Sequence, residues 1–180
     1  MNRLIAILFC LFMVNCTPEK TQPESMDIDF VVNYYPDSTV KEIVQRKNKL
    51  LDGKAFKFNE DGTKLWEYNY LDDEREGLQY DYVHGKLVFS VPYKSGKEHG
   101  WARRYAGPCG SISEEGQYEN GEMNGVWYNY YNGELLEISL FRNDSLIEVV
   151  YRNKKYPDQN TPLPPIMIDC NEKWKSGEEQ

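Results

Sequence analysis

Histidine is nearly absent from this chain: there are two in 180 residues, His84 and His99. No cysteine or carboxylate falls at ligand spacing around either, which argues against a metal centre. Each directly precedes a glycine and reads as a polar turn residue. Basic clusters are also lacking, because 21 Lys and Arg against 29 Asp and Glu leave a formal charge of −8. That balance excludes nucleic acid as a partner, since phosphates call for grouped Lys and Arg. Apolar residues make up 40%, below the usual share of roughly 45–50%, so a thick aliphatic core is out of reach. The one long apolar run, Leu4–Val14, is too short to cross a bilayer, which takes about 20 residues. No glycine-rich loop opens a helix to hold phosphate, and no nucleophile sits in a recognisable setting. The expectation is therefore no catalytic residue, no metal and no cofactor.

What is present begins with MNRLIAILFCLFMVNC, a short basic start at Arg3, an apolar run and a cysteine. This reads as a signal peptide over residues 1–15. Met13-Val14-Asn15-Cys16 resembles a bacterial lipobox, which implies that Cys16 is lipidated and anchors the mature chain to a membrane of the cell envelope. The polar, Pro-containing stretch 16–29 then serves as a flexible tether. With Cys16 lipidated, Cys109 and Cys170 remain, either bridged in an oxidising compartment or as free thiols.

From residue 53 onward the chain keeps a beat. Gly53, Gly77, Gly100 and Gly125 are spaced by 24, 23 and 25, and each is followed by an alternating aromatic stretch: GKAFKF, GLQYDY, GWARRY, GVWYNY. A period of two is the strand signature. A second glycine follows in each unit, at Gly62, Gly85, Gly110 and Gly133, always 15 residues before the next unit. Asp61-Gly62, His84-Gly85 and Asn132-Gly133 suit two-residue hairpins with positive φ. In the third unit the loop grows to AGPCG, which places Cys109 in the enlarged hairpin. Eight residues past each second glycine stands Tyr70, Tyr93, Tyr118 or Phe141, followed in register by Asp72-Asp73, Ser95-Gly96, Asn120-Gly121 and Asn143-Asp144. Each unit thus reads as strand, hairpin, strand, turn, and such short loops permit only antiparallel neighbours. Worn units flank these, one with Ser38 in place of the hairpin glycine and one with Glu148 in place of the leading glycine. The prediction is an all-β, elongated and curled antiparallel repeat sheet, a meander of about five units over residues 30–152, with a Pro-rich tail over 153–180.

GVWYNYYNGELLEISLFRNDS and GLQYDYVHGKLVFSVPYKSGKEHG resemble the bacterial variant of the MORN repeat. The resemblance covers about two thirds of the chain, most closely Gly77–Asp144, and departs from the pattern at Ser38, Arg103 and Glu148. Proteins of this kind look like the group described as YwqK-family antitoxins. The resemblance implies a ribbon-like sheet used for binding or scaffolding, with no catalytic residues to carry over.

Trp66, Trp101 and Trp127, with Tyr105 and Tyr130, are the candidate binding face; packing within the sheet accounts for the same alternation. Asp72-Asp73-Glu74 and Glu114-Glu115 read as charges in loops or on strand edges that block unwanted pairing. An acidic platform suits a basic protein partner. The functional expectation is a non-enzymatic envelope lipoprotein that binds another protein. The alternatives are an antitoxin or immunity protein that neutralises a toxin, and a carbohydrate-binding module.

Overall fold

The computed structural model describes residues 27–107 and 110–156. The signal peptide, Cys16, Cys109, Cys170 and the tail beyond Tyr156 lie outside the described residues. All described elements are strands of one antiparallel sheet: β1 Ile28–Tyr34, β2 Val40–Lys47, β3 Leu50–Phe58, β4 Lys64–Leu71, β5 Glu74–Arg75, β6 Gly77–Val83, β7 Lys86–Lys94, β8 Lys97–Glu98, β9 Gly100–Ala106, β10 Ser111–Glu119, β11 Glu122–Tyr131, β12 Glu134–Arg142 and β13 Ser145–Arg152. Spatial order follows chain order throughout. The fold class read from the sequence, an all-β antiparallel meander, is the one observed.

The four leading glycines are not at reversals. Each pairs in register with its own hairpin partner, opposite an aromatic: Gly53↔Tyr70, Gly77↔Tyr93, Gly100↔Tyr118 and Gly125↔Phe141. Against the preceding unit the same strand carries two surplus residues. Val44↔Ala55 and Arg46↔Leu51 leave Gln45 alone opposite Asp52, Gly53 and Lys54. Glu115↔Tyr128 and Gln117↔Asn124 repeat the arrangement around Gly125. In the middle units the same excess splits off the short β5 and β8. The leading glycines, which the repeat spacing marks as turn or structural positions, are bulge residues inside strands, with φ from 78° to 117°. A left-handed backbone there favours glycine, and at Gly53 and Gly100 a side chain would also run into Gln45 and Pro92. His99, which the sequence puts at a turn, belongs to this bulge, its N–H donating to the Pro92 carbonyl at 2.8 Å.

Apart from the β9–β10 connection, where residues 108–109 lie outside the described residues, reversals come in two kinds. His84-Gly85, Asn132-Gly133 and the turns at the opposite ends of the strands have both central residues left-handed, the geometry of a two-residue hairpin. Asp61-Gly62 does not, which corrects the expectation. There Asn59 N–H donates to the Thr63 carbonyl (2.8 Å), and only Gly62 has positive φ. The Asp61 carboxylate accepts from the Thr63 N–H (2.9 Å) and hydroxyl (2.6 Å), which holds Asp61 in a right-handed turn. Tyr35–Thr39 repeats the backbone and Asp–Thr bonds of this loop, with Asp37 and Thr39 as the pair and Ser38 at φ 72° in the glycine slot. At the other ends, each turn leans on the leading bulge of its own unit: Asp73, Gly96, Gly121 and Asp144 N–H groups donate to the carbonyls of Leu51, Arg75, Glu98 and Met123. Asp73 and Asp144 return the bond, their carboxylates accepting from the Leu51 and Met123 N–H groups at 2.7 Å. This side-chain bond is the local reason an aspartate tolerates positive φ.

The core is a transverse row two residues past each leading glycine, made of Ala55, Gln79, Ala102 and Trp127, all almost fully buried. Their cross-strand partners are Tyr68, Val91, Gly116 and Ser139. Volume is traded along the row: Trp127 lies over Gly116, whose missing Cβ would overlap the indole, and the ring is walled by Tyr118 and Phe141 edges. After β13 the chain turns so that buried Tyr156 meets Tyr131 edge-on at 5.7 Å.

Two substitutions test this reading by thermal and urea denaturation. Gly116→Val forces the indole out and should destabilise by about 1–3 kcal/mol. Ser38→Gly removes a left-handed penalty without touching the Asp37–Thr39 bonds and should stabilise by about 0.5–1 kcal/mol.

Candidate functional site: an ordered aromatic face

Side chains alternate between the core face and the opposite face, so the five candidate residues divide. Trp66 and Trp127 belong to the core face; Trp101, Tyr105 and Tyr130 belong to the opposite one. Trp127 is 1% exposed, and its Nε1 donates to the Gln117 carbonyl at 3.2 Å, which makes it a core residue. Trp66 stacks on Tyr68 at 4.3 Å, and the Tyr68 hydroxyl donates to Asp81 at 2.7 Å. Beside them Arg75 lies over the rings of Tyr68 and Tyr93 and donates to the Tyr93 hydroxyl at 3.1 Å. Tyr93 in turn donates to Glu98 at 2.6 Å; burial, with that carboxylate, pushes the phenol up to about 12.

The opposite face is organised by two carboxylates that sequence reasoning placed elsewhere or passed over. Glu115 lies in mid-sheet on β10, directly across from Arg103 on β9, and neither it nor Glu114 is in a loop or on an outer strand of the sheet. Its carboxylate accepts from Trp101 Nε1 (3.1 Å), Arg103 Nε (3.0 Å) and the Tyr130 hydroxyl (3.0 Å). Burial works to raise the Glu115 pKa, but the bonds from Trp101, Arg103 and Tyr130 outweigh it and hold the carboxyl below its ordinary value. Burial, reinforced by the same bond, pushes Tyr130 up to about 12. Trp101 and Tyr128 rings sit 6.3 Å apart at 45°. Glu67 is the equivalent hub one end of the sheet away, accepting from Lys54 (2.8 Å) and Lys64 (2.9 Å), while Lys64 also lies over the Phe56 and Tyr82 rings. Tyr105 shares a 3.4 Å bond with Ser90. Glu67 and Glu115 both stand five residues past a second glycine; that spacing was the signal available to find them.

Arg103 departs from the aromatic column because it pairs with Glu115 where Phe56 and Tyr80 flank Glu67. A shallow depression of about 500 Å³ opens between two successive bulges, lined by His99, Gly100, Gln117, Tyr118, Glu119, Asn124 and Gly125. His84 stays at its turn. Among the described residues no group of three or more His, Cys, Asp or Glu is placed to hold a metal ion.

Because the folded pKa of Glu115 lies below the ordinary 4.5, its ionised form stabilises the fold above that pH, and the contribution fades as pH falls through the folded value. Glu115→Gln should cost about 1–2 kcal/mol at neutral pH. In a pH series of urea midpoints, the gap between variant and wild type should close on the acid side.

No family model matches the chain, and no curated protein matches it. Among solved structures the chain is similar to TarM, at TM-score 0.38 and 13% identity over 54% of this chain and 20% of that one. It is likewise similar to a mutant of S. aureus TarM in complex with Fondaparinux, alpha-GlcNAc-glycerol and UDP, at TM-score 0.38 and 10% identity over 67% and 21%. A third similarity is to the Glycosylation Associate Protein (Gap123) complex from Streptococcus agalactiae, at TM-score 0.35 and 17% identity over 62% and 20%. The chain spans about one fifth of the length of each of these proteins.

Proposed function

We propose that this protein is a non-enzymatic lipoprotein of the bacterial cell envelope, anchored through Cys16, whose sheet is a binding scaffold for another protein. The observation that carries the reading is the Glu115 hub. It fixes Trp101, Arg103 and Tyr130 in one arrangement before any partner arrives, so docking there costs little side-chain entropy. Half-buried Trp and Tyr with an Arg beside them are the residue types on which binding energy concentrates. The net charge of −8 favours a basic partner. The anchor rests on the sequence of residues 1–16 alone.

The test is crosslinking and affinity capture with the tagged mature chain. Trp101→Ala with Tyr128→Ala should weaken capture of a specific protein by about tenfold or more, and radiolabelled palmitate should enter the wild type and not Cys16→Ser. Capture unchanged by the double variant overturns the assigned face. Glycan binding abolished by the same variant assigns it to carbohydrate instead, and rescue of growth against a neighbouring toxin assigns the antitoxin role.

A further inference from the structure

The outer strands of the sheet are unlike each other. β13 shifts register twice, between Ile138 and Ser139 and between Leu140 and Phe141 of its partner, and carries Glu148 in mid-strand. Bulges and central charges are how sheet edges are kept from pairing. β1 uses these devices less. Its single shift falls at its last residue, between Asn33 and Tyr34, and its one charge, Asp29, stands next to its start. Its register runs unbroken from Ile28↔Lys47 to Asn33↔Glu42. Among the described residues it is paired on one side only.

The alternation along β1 can be followed from its ends. The Asp27 carbonyl accepts from Asn48 and the Tyr35 N–H donates to Thr39, so odd-numbered residues direct their polar groups at β2. The edge amides and carbonyls therefore belong to Ile28, Phe30, Val32 and Tyr34. These same residues carry the exposed apolar side chains, with Phe30 65% and Tyr34 59% exposed. We propose that β1 is a homodimerisation edge, pairing antiparallel with β1 of a second copy about a twofold axis at Val31.

That axis sets Phe30 across from Val32 and Ile28 across from Tyr34, all four with outward backbone groups, so the pairs exchange hydrogen bonds and their side chains fall on one side of the joined sheet. Asp29 meets Asn33, and no like charges oppose. A second copy fits better than the stretch that leads into β1. TPEKTQPES has no apolar residue at alternate positions to match Phe30 and Val32, and two prolines without N–H groups. The joined sheet would also place the Trp101 faces of both copies on one surface. The pairing does not rest on the proposed partner site, and Trp101→Ala should leave it intact.

Sedimentation equilibrium of the full chain in detergent, over about 1–200 μM, tests it, a range suited to one strand edge. A monomer–dimer equilibrium is expected. Phe30→Lys should weaken it at least about tenfold. Val32→Pro, which removes an outward N–H and leaves the β2 ladder whole, should do the same with an unchanged circular dichroism spectrum. Ile147→Lys on β13 should have no effect. A chain that stays monomeric throughout overturns the proposal, as does a dimer indifferent to Phe30→Lys or dissolved by Ile147→Lys. Slow hydrogen exchange at the Phe30 and Val32 amides of a monomer would also overturn it, by assigning the edge to the chain's own residues.

Discussion

The constraint on which the rest depends is a mismatch of length. In each unit the strand that follows the long-range turn has two more residues than its neighbour in the preceding unit can pair. The surplus must leave the ladder somewhere, and it leaves at a left-handed glycine. Bulges of this kind bend the strand and deepen its right-handed twist. Because the excess recurs at the same place in every unit, the bend recurs too, and successive reversals come into line. That alignment lets each turn donate to the carbonyl of the bulge before it. Where Glu148 stands at the last such position, the two-residue excess is broken into two single shifts. A residue with a side chain avoids the left-handed corner and spreads the same correction along the strand.

Among the described residues there is one layer and no second sheet over its core face, so the core comes from within. Trp127 supplies the bulk that Gly116 and Ala102 lack, and Tyr68 does so beside Ala55. The trade explains how a chain low in aliphatics still buries a continuous row: large and small residues alternate across the strands, not along them. The cost appears at Gln79, buried in the same row with its Oε1 unpaired and its Nε2 only 3.4 Å from the Asn69 carbonyl. Much of the remaining order is polar, with carboxylates tying rings and cations together on both faces.

Strand order, strand phase and the residues at most reversals were legible because they rest on local rules: period two for strands, Asn, Asp and Gly for left-handed turns. The meaning of Gly53, Gly77, Gly100 and Gly125 was not, because a bulge is defined by the neighbouring strand's register, and register is a relation between distant residues. Asp61 misled for a related reason. Asp-Gly suits a two-residue hairpin until Thr63 offers its hydroxyl and N–H two positions on. The candidate face was half legible. Period two shows that Trp101 and Tyr105 share a side, but whether Trp66 and Trp127 join them depends on the parity of the strand pairing. Glu115 escaped because a carboxylate in a run of polar residues looks solvated until Trp101, Arg103 and Tyr130 are seen to converge on it.

The two faces then divide the aromatic residues by what their polar atoms do. On the core face, rings stack on one another or on Arg75, and the Trp127 N–H is spent on a backbone carbonyl. Those bonds hold the sheet to itself. On the opposite face, the Trp101 N–H and Tyr130 hydroxyl meet a single carboxylate, which leaves the ring surfaces half-exposed but orientationally fixed. A ring held by its edge keeps its face available, whereas a ring held by its face does not. The same residue types at the same repeat spacing therefore serve cohesion on one side and presentation on the other, and strand parity alone decides which.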